Sequence, residues 1–258
     1  MPNITQENID RFSGFTDLYN ASRPVPPEII QACILKYLAA PPRTVVDIGS
    51  GTGLSTAIWR DIAARVIGIE PNDDMRKAAE ASISESNIVF QKGYSNQSGL
   101  PDASADVVTI SQAFHWMDIP STLEEVFRIL KPGGVFAVYD CDWPPCVDWM
   151  VEHAQDVLIR KCNAVMPPAS KNDKDAHLRR MSEFGKFRFV REAVCHSVEP
   201  CTPERMIGIA LSQGSVQGAL KLDAAVQGDV DAFCGVVRER CPDNFEIVFS
   251  YRVRLGVK

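Results

Sequence analysis

The 258-residue sequence predicts an α/β sandwich built around a parallel sheet, and three observations lead there. Between Pro41 and Cys141, short β-branched runs alternate with longer amphipathic stretches, the pattern of successive βαβ units. The run Val45-Val46-Asp47-Ile48 passes directly into the turn Gly49-Ser50-Gly51-Thr52-Gly53 and then into a helical pattern. Beyond Cys141 the alternation breaks, so the second half reads as an insertion followed by closing strands.

Taken in order, Thr44 to Ile48 is the first strand and Ser55 to Ala64 the first helix of this unit. Val66 to Glu70 is the second strand, and Asp74 to Ser84 the next helix. Ile88 to Lys92, Ala105 to Ser111 and Val135 to Tyr139 supply three more strands. The helix Ile119 to Leu130 stops at Lys131-Pro132-Gly133-Gly134, where proline and paired glycines cannot continue it. A helix over Asp148 to Val165 and a polar loop near Ser170 to Asp175 follow. Phe187 to Val198 then reads as a strand, Pro203 to Ser212 and Asp229 to Arg240 as helices, and Phe245 to Leu255 as a closing strand.

The 45% hydrophobic and 23% charged content are those of a packed globular chain. No apolar run approaches the roughly 20 residues of a membrane span. The opening Met1 to Arg11 is polar and lacks the apolar region of a signal peptide, so a cytoplasmic location is expected. A formal net charge of -6 disfavours nucleic acid as a partner. Arg179, Arg180, Lys186, Arg188 and Arg191 are either a local basic patch or a solvated face. The eight cysteines contain no CxxC pair, and no histidine cluster accompanies them. Buried free thiols are therefore expected, with no metal site.

The glycine turn marks a ligand position at the carboxyl end of a parallel strand. Gly49-x-Gly51-x-Gly53 falls one residue short of the dinucleotide spacing, and Asp47 would repel a pyrophosphate while attracting a positively charged ligand. A nicotinamide oxidoreductase is disfavoured on both grounds. Glu70, seventeen residues beyond Gly53, can accept hydrogen bonds from both hydroxyls of a ribose. His115 and Trp116 follow the fourth strand and are the candidate catalytic residues. His115 reads either as a general base, since its ordinary pKa of about 6.5 suits neutral pH, or as a structural or substrate-shaping histidine.

Val45 to Gly53, Gly68-Ile69-Glu70-Pro71, Phe114-His115-Trp116 and Arg128 to Gly134 together resemble the successive motifs of class I S-adenosylmethionine-dependent methyltransferases, of the type 11 domain. The leader Phe15 to Pro26, with Tyr19, Arg23 and Pro24, resembles the lid of the small-molecule branch that contains trans-aconitate methyltransferase. This implies a Rossmann-like three-layer sandwich with a mostly parallel seven-stranded sheet, a helical insertion and an antiparallel C-terminal strand. Residues 1–40 would form the lid segment, 41–142 the S-adenosylmethionine-binding core, and 143–258 the substrate side and closing strands. By the same resemblance Asp47, Gly49 and Gly51 flank the methionine portion of the cofactor, Glu70 its ribose, and Pro71 and Met75 its adenine, with Ser50 and Gly53 also among the cofactor-binding residues. Gln112 adds backbone contacts near the methionine portion.

Many members carry an acid after the glycine that follows the third strand; here Gly93 is followed by Tyr94. Tyr94 and Ser95 either contact the adenine in its place or belong to an ordinary loop. Tyr19 and Arg23 belong either to a lid over the cofactor or to a surface segment, and Arg23 suits a carboxylate of the cofactor or of an acidic acceptor. The expected activity is methyl transfer to a small-molecule acceptor, a carboxylate among the candidates. A cofactor-binding regulatory protein on the same scaffold is the alternative. The acceptor and the oligomeric state are not legible in the sequence.

Overall fold

The computed structural model describes residues 14–166 and 171–258. Expectations for residues 1–13 of the leader and for 167–170, including Ser170, lie outside the described residues. Seven strands, β1 (Thr44–Ile48), β2 (Arg65–Ile69), β3 (Ile88–Gln91), β4 (Ala105–Ser111), β5 (Leu130–Cys141), β6 (Phe189–Cys201) and β7 (Phe245–Val257), form one sheet. Their order is β3-β2-β1-β4-β5-β7-β6. β1 to β5 run parallel, while β7 is antiparallel to both β5 and β6. The chain winds outward in one direction through β2 and β3 and then in the other through β4 and β5. The crevice at the carboxyl ends of β1 and β4 is therefore the switch point where open α/β sheets bind ligands.

Alternation along the strands makes the two covering layers. Val45, Val107, Val135 and Ala137 enter one apolar core, whereas Val46, Ile48, Val108, Ile110, Phe136 and Val138 enter the other. The first core is covered by α2 (Glu28–Leu35), α6 (Trp149–Val165), α8 (Pro203–Leu211), α9 (Gly214–Leu222) and α10 (Val226–Arg240). On the opposite face, α5 (Ile119–Ile129) buries Ile119, Leu123, Val126 and Ile129, and α7 (His177–Glu183) adds Met181. Among the described residues the remaining helices are α1 (Thr16–Ser22), α3 (Leu54–Ala57) and α4 (Asp73–Ser82).

Side-chain caps set several helix starts: Asn72 accepts from Met75 N at 3.0 Å, Asp148 from Met150 N at 2.9 Å and Thr202 from Arg205 N at 3.1 Å. Three expectations change. The helix foreseen to Ala64 ends at Ala57, because Trp59 N and Arg60 N then donate to Thr56 O and Ala57 O, three residues back. The strand foreseen from Val135 begins at Leu130, directly after α5, with a register shift between Ala105 and Val107 absorbing Pro132 and Gly133. The leader is not merely turn-rich: α1 packs on α8, where Gly208 leaves room for Ser22.

α2, α7 and α9 were not foreseen. Glycines at 214 and 218 weaken the helical signal of α9, and a Cβ at Gly218 would stand 2.4 Å from Met166 Cε. Five cysteines are buried, but Cys146 is exposed and Cys33 and Cys195 are half-buried. The basic residues near Arg180 disperse into separate contacts, Arg179 with Glu183, Arg180 with Asn172, Lys186 with Glu124 and Arg191 with Tyr37. Among the described residues no helix is long and apolar enough to cross a membrane.

Candidate functional site

The turn after β1 is tied to β2 by Gly49 N and Ser50 N, which donate to Ile69 O at 2.8 and 3.1 Å. Gly49 and Gly51 have φ of +71° and +57°, where a Cβ is strained. A Cβ on Gly49 would also stand 2.8 Å from that of Ala113, whereas one on Gly51 would meet nothing within 4 Å. Gly51 thus leaves main chain open to a ligand.

Asp47 departs from expectation. Its carboxylate is fully buried beneath the turn, where Ser55 Oγ, Thr56 Oγ1 and Thr109 Oγ1 donate to it at 2.6, 2.7 and 2.8 Å. Burial raises its pKa against these three hydrogen bonds. The acid therefore shapes the turn from below and does not line the cavity. Gly53 is also a packing residue, since a Cβ there would stand 2.4 Å from Ile83 Cδ1. Ser50 borders a small side cavity shared with Arg23 and Pro24.

A cavity at the switch point, of about 140 Å³, brings together Tyr19, Gly49, Gly51, Glu70, Pro71, Met75, Tyr94, Ser95 and Gln112, with Trp116 and Met117. Glu70, 7% exposed, accepts from Gly51 N through one oxygen and from Asn72 N through the other, both at 2.8 Å. Burial raises its pKa, opposed by these two backbone donors and by Arg76. A carboxylate has about four acceptor positions, so capacity remains for two more donors. Ser95 Oγ already shares a hydrogen bond with Thr122 Oγ1 at 2.8 Å. The loop carrying Tyr94 and Ser95 is fixed from behind, where Arg128 donates to Leu100 O and Glu125 while Glu125 accepts from Ser98 N, each at 2.8 Å.

A second cavity, of about 650 Å³, adjoins the first and shares Tyr19, Gln112 and Trp116 with it. His115 borders this second space and is only 7% exposed. Burial, then the charge of Lys174, draws its pKa down to about 3 against the opposing pull of Asp140. A base matched to neutral pH, as expected from the free imidazole, is thus not what the fold provides: His115 is a neutral ring well below that range. Gln112 has φ of +53°, strained for a non-glycine residue, and its Oε1 accepts from Lys174 Nζ at 3.1 Å.

Arg23 borders the second cavity and the small side cavity rather than the first. Its guanidinium lies 5.0 Å from the Tyr19 ring and 4.9 Å from the Trp143 ring, and Nε donates to Ser212 Oγ at 2.9 Å. Among the described residues no carboxylate pairs with it.

Sequence reasoning missed Asp140, Asn172, Lys174, His177 and Arg254. Asp140 stands one residue before the end of β5, at the same edge of the sheet as Glu70, which is the signal that could have found it. Burial pushes its pKa up, but His177 and Lys174 outweigh that and hold the carboxyl below its ordinary range. Asn172 secures the His115 turn, donating through N to His115 O at 2.7 Å and through Nδ2 to Met117 O at 2.8 Å.

Residues 46–138 match the methyltransferase domain family. An uncharacterized methyltransferase of Mycobacterium tuberculosis is 33% identical over 124 residues, 48% of this chain and 49% of that protein. The probable S-adenosylmethionine-dependent methyltransferase CRG1 of Saccharomyces cerevisiae is 30% identical over 136 residues, 51% of this chain and 47% of that one. The chain spans about half the length of these curated relatives. A solved structure from Anaeromyxobacter dehalogenans, assigned as a type II methyltransferase, has a TM-score of 0.71 at 20% identity and covers 91% of this chain and 97% of its own. That likeness is one of fold.

Proposed function

We propose that this chain, whose residues 46–138 are a methyltransferase domain within a class I S-adenosylmethionine-dependent methyltransferase fold, moves a methyl group to a small acceptor bearing a carboxylate. The observation that carries this reading is the meeting of two cavities at Tyr19, Gln112 and Trp116. One is walled by the glycine turn and Glu70, the other by charged and aromatic side chains.

The residues present fit the cofactor. Gly51 has open space where a side chain would stand, and Glu70 retains acceptor capacity for two ribose hydroxyls. Pro71 and Met75 offer apolar walls to adenine. S-adenosylmethionine, when bound, supplies an electrophilic methyl on a sulfonium whose leaving group is a neutral thioether. The chain's part is to orient and to exclude water. The placing of the two cavities on either side of Gln112 and Trp116 supports an in-line transfer.

Arg23 and Lys171 border the second cavity and support an anionic acceptor, while Lys174 and Arg254 balance Asp140 on its wall and Arg252 pairs with Asp142. Its volume of about 650 Å³ weighs against a regulatory protein with an occluded cleft. The test is release of S-adenosylhomocysteine from S-adenosylmethionine across small carboxylic acids and their uncharged amides. Turnover of acids in preference to amides is expected. No release above a protein-free control with any compound overturns the reading.

A further inference from the structure

Four groups converge on the Asp140 carboxylate, which is 1% exposed and borders the acceptor cavity. Arg254 Nη1 approaches from β7 at 3.0 Å and Lys174 Nζ from the short turn Lys174–Ala176 at 3.2 Å. His177 Nδ1 approaches from α7 at 3.3 Å and His115 Nδ1 from the turn Phe114–Trp116 at 3.8 Å. Arg254 is shared with Glu192, whose Oε2 lies 2.8 Å from its Nε. Lys171 adds positive charge near His115. A buried acid needs one cation for neutrality; two imidazoles with Nδ1 turned toward it exceed that need.

The two atoms that face each other are complementary, and no hydrogen bond joins them. His115 Nδ1 and Asp140 Oδ1 are both buried without a hydrogen-bond partner among the described residues, although Lys174 forms an ion pair with the same oxygen. Buried polar atoms rarely stay orphaned, and site hydrogen bonds often tighten only when substrate binds. A separation of 3.8 Å leaves under about one ångström to close.

We propose that Asp140 is a positioning residue acting through His115: it fixes the tautomer that carries the proton on Nδ1 and leaves the Nε2 lone pair for the acceptor. This rests on the methyl-transfer reading above. Transfer forms the bond from acceptor atom to methyl carbon, breaks the carbon–sulfur bond with its pair left on sulfur, and frees one proton from the acceptor. Nε2 takes that proton, and the resulting imidazolium lies against the Asp140 carboxylate. The methylated atom is therefore a hydroxyl or amine of the acceptor, since an ionised carboxylate has no proton to give. Burial and Lys174 disfavour the imidazolium as the chain stands, so the step requires the 3.8 Å gap to close, with the Asp140 carboxylate then offsetting the charge that the ring gains.

The experiment is a two-bond proton–nitrogen correlation on the full chain labelled with 15N-histidine, at pH 7. Comparison with His115→Gln assigns this ring among the four histidines. The expected result is a neutral His115 with its proton on Nδ1, and loss of that preference in Asp140→Leu. Should Asp140→Leu fail to fold, the wild-type tautomer still decides, together with Asp140→Asn, which keeps the size of the side chain, removes its charge and is expected to weaken the preference for a proton on Nδ1. A proton on Nε2 in the wild type, or an unchanged tautomer in folded Asp140→Leu or Asp140→Asn, would each overturn the assignment. S-adenosylhomocysteine binding is measured on the same samples. Lost binding in the wild type counts against the methyl-donor reading, whereas intact binding with the wrong tautomer counts against Asp140 alone.

Discussion

The Glu70 carboxylate accepts the backbone N–H of Gly51 at 2.8 Å and so joins the glycine turn after β1 to the end of β2. Its other oxygen accepts from Asn72 N, at the start of α4. One buried acid thereby fixes both walls of the cavity at the switch point and keeps lone pairs for a ligand.

Glu70→Ala should weaken S-adenosylhomocysteine binding roughly 100-fold, since charge-assisted hydrogen bonds contribute about 1.5–3 kcal/mol each. Gly51→Ala should keep the fold, because the added Cβ meets nothing within 4 Å, yet incur about 1 kcal/mol of left-handed strain. Its cofactor affinity should fall more than its stability. Calorimetric titration beside thermal melting separates the two effects, and equal losses would speak against the open-turn account.

Asp47→Ala should act on stability. It strands three buried hydroxyls, at about 1 kcal/mol or more each, and leaves a void beneath the turn. Urea unfolding should show a loss on the order of 3 kcal/mol. A stable variant that had lost only ligand affinity would return Asp47 to the direct-contact role expected from sequence.

Acid should destabilise the fold through His115. The native pKa is held near 3, so the ring stays neutral while the unfolded chain takes up a proton below its ordinary value of 6.5. The unfolded state then binds more protons, and stability falls as pH drops from about 6.5 toward 3, by up to about 1.4 kcal/mol per pH unit. His115→Gln should flatten this slope between roughly pH 6.5 and 5. Unfolding curves across that window check it, and an unchanged slope refutes it.

Lys171→Met should raise KM for an acidic acceptor about fivefold, as expected for a partly exposed charge contact. S-adenosylhomocysteine affinity should not move, because Lys171 borders only the second cavity. Parallel kinetics and calorimetry would expose a change in both.

The parallel half of the sheet was legible because its signals are local. β1 and β4 fall on their expected residues, and Gly49, Gly51, Glu70, Pro71, Met75 and Gln112 meet in one cavity. Asp47 was misread because its three hydroxyl partners come from α3 and β4, which a charge argument along the chain does not bring together. The Asp140 cluster was missed for a similar reason. Arg254 and Lys174 stand more than thirty residues away in sequence and reach Asp140 only through β7 and the turn before α7. His115 was identified, but its depressed pKa depends on burial and on Lys174, neither of which is encoded in the local motif.

The most direct test is calorimetric titration of S-adenosylhomocysteine into the purified full chain. One site of micromolar affinity, weakened by Glu70→Ala, is predicted. No binding by the folded wild type at ligand concentrations on the order of 1 mM would contradict the account.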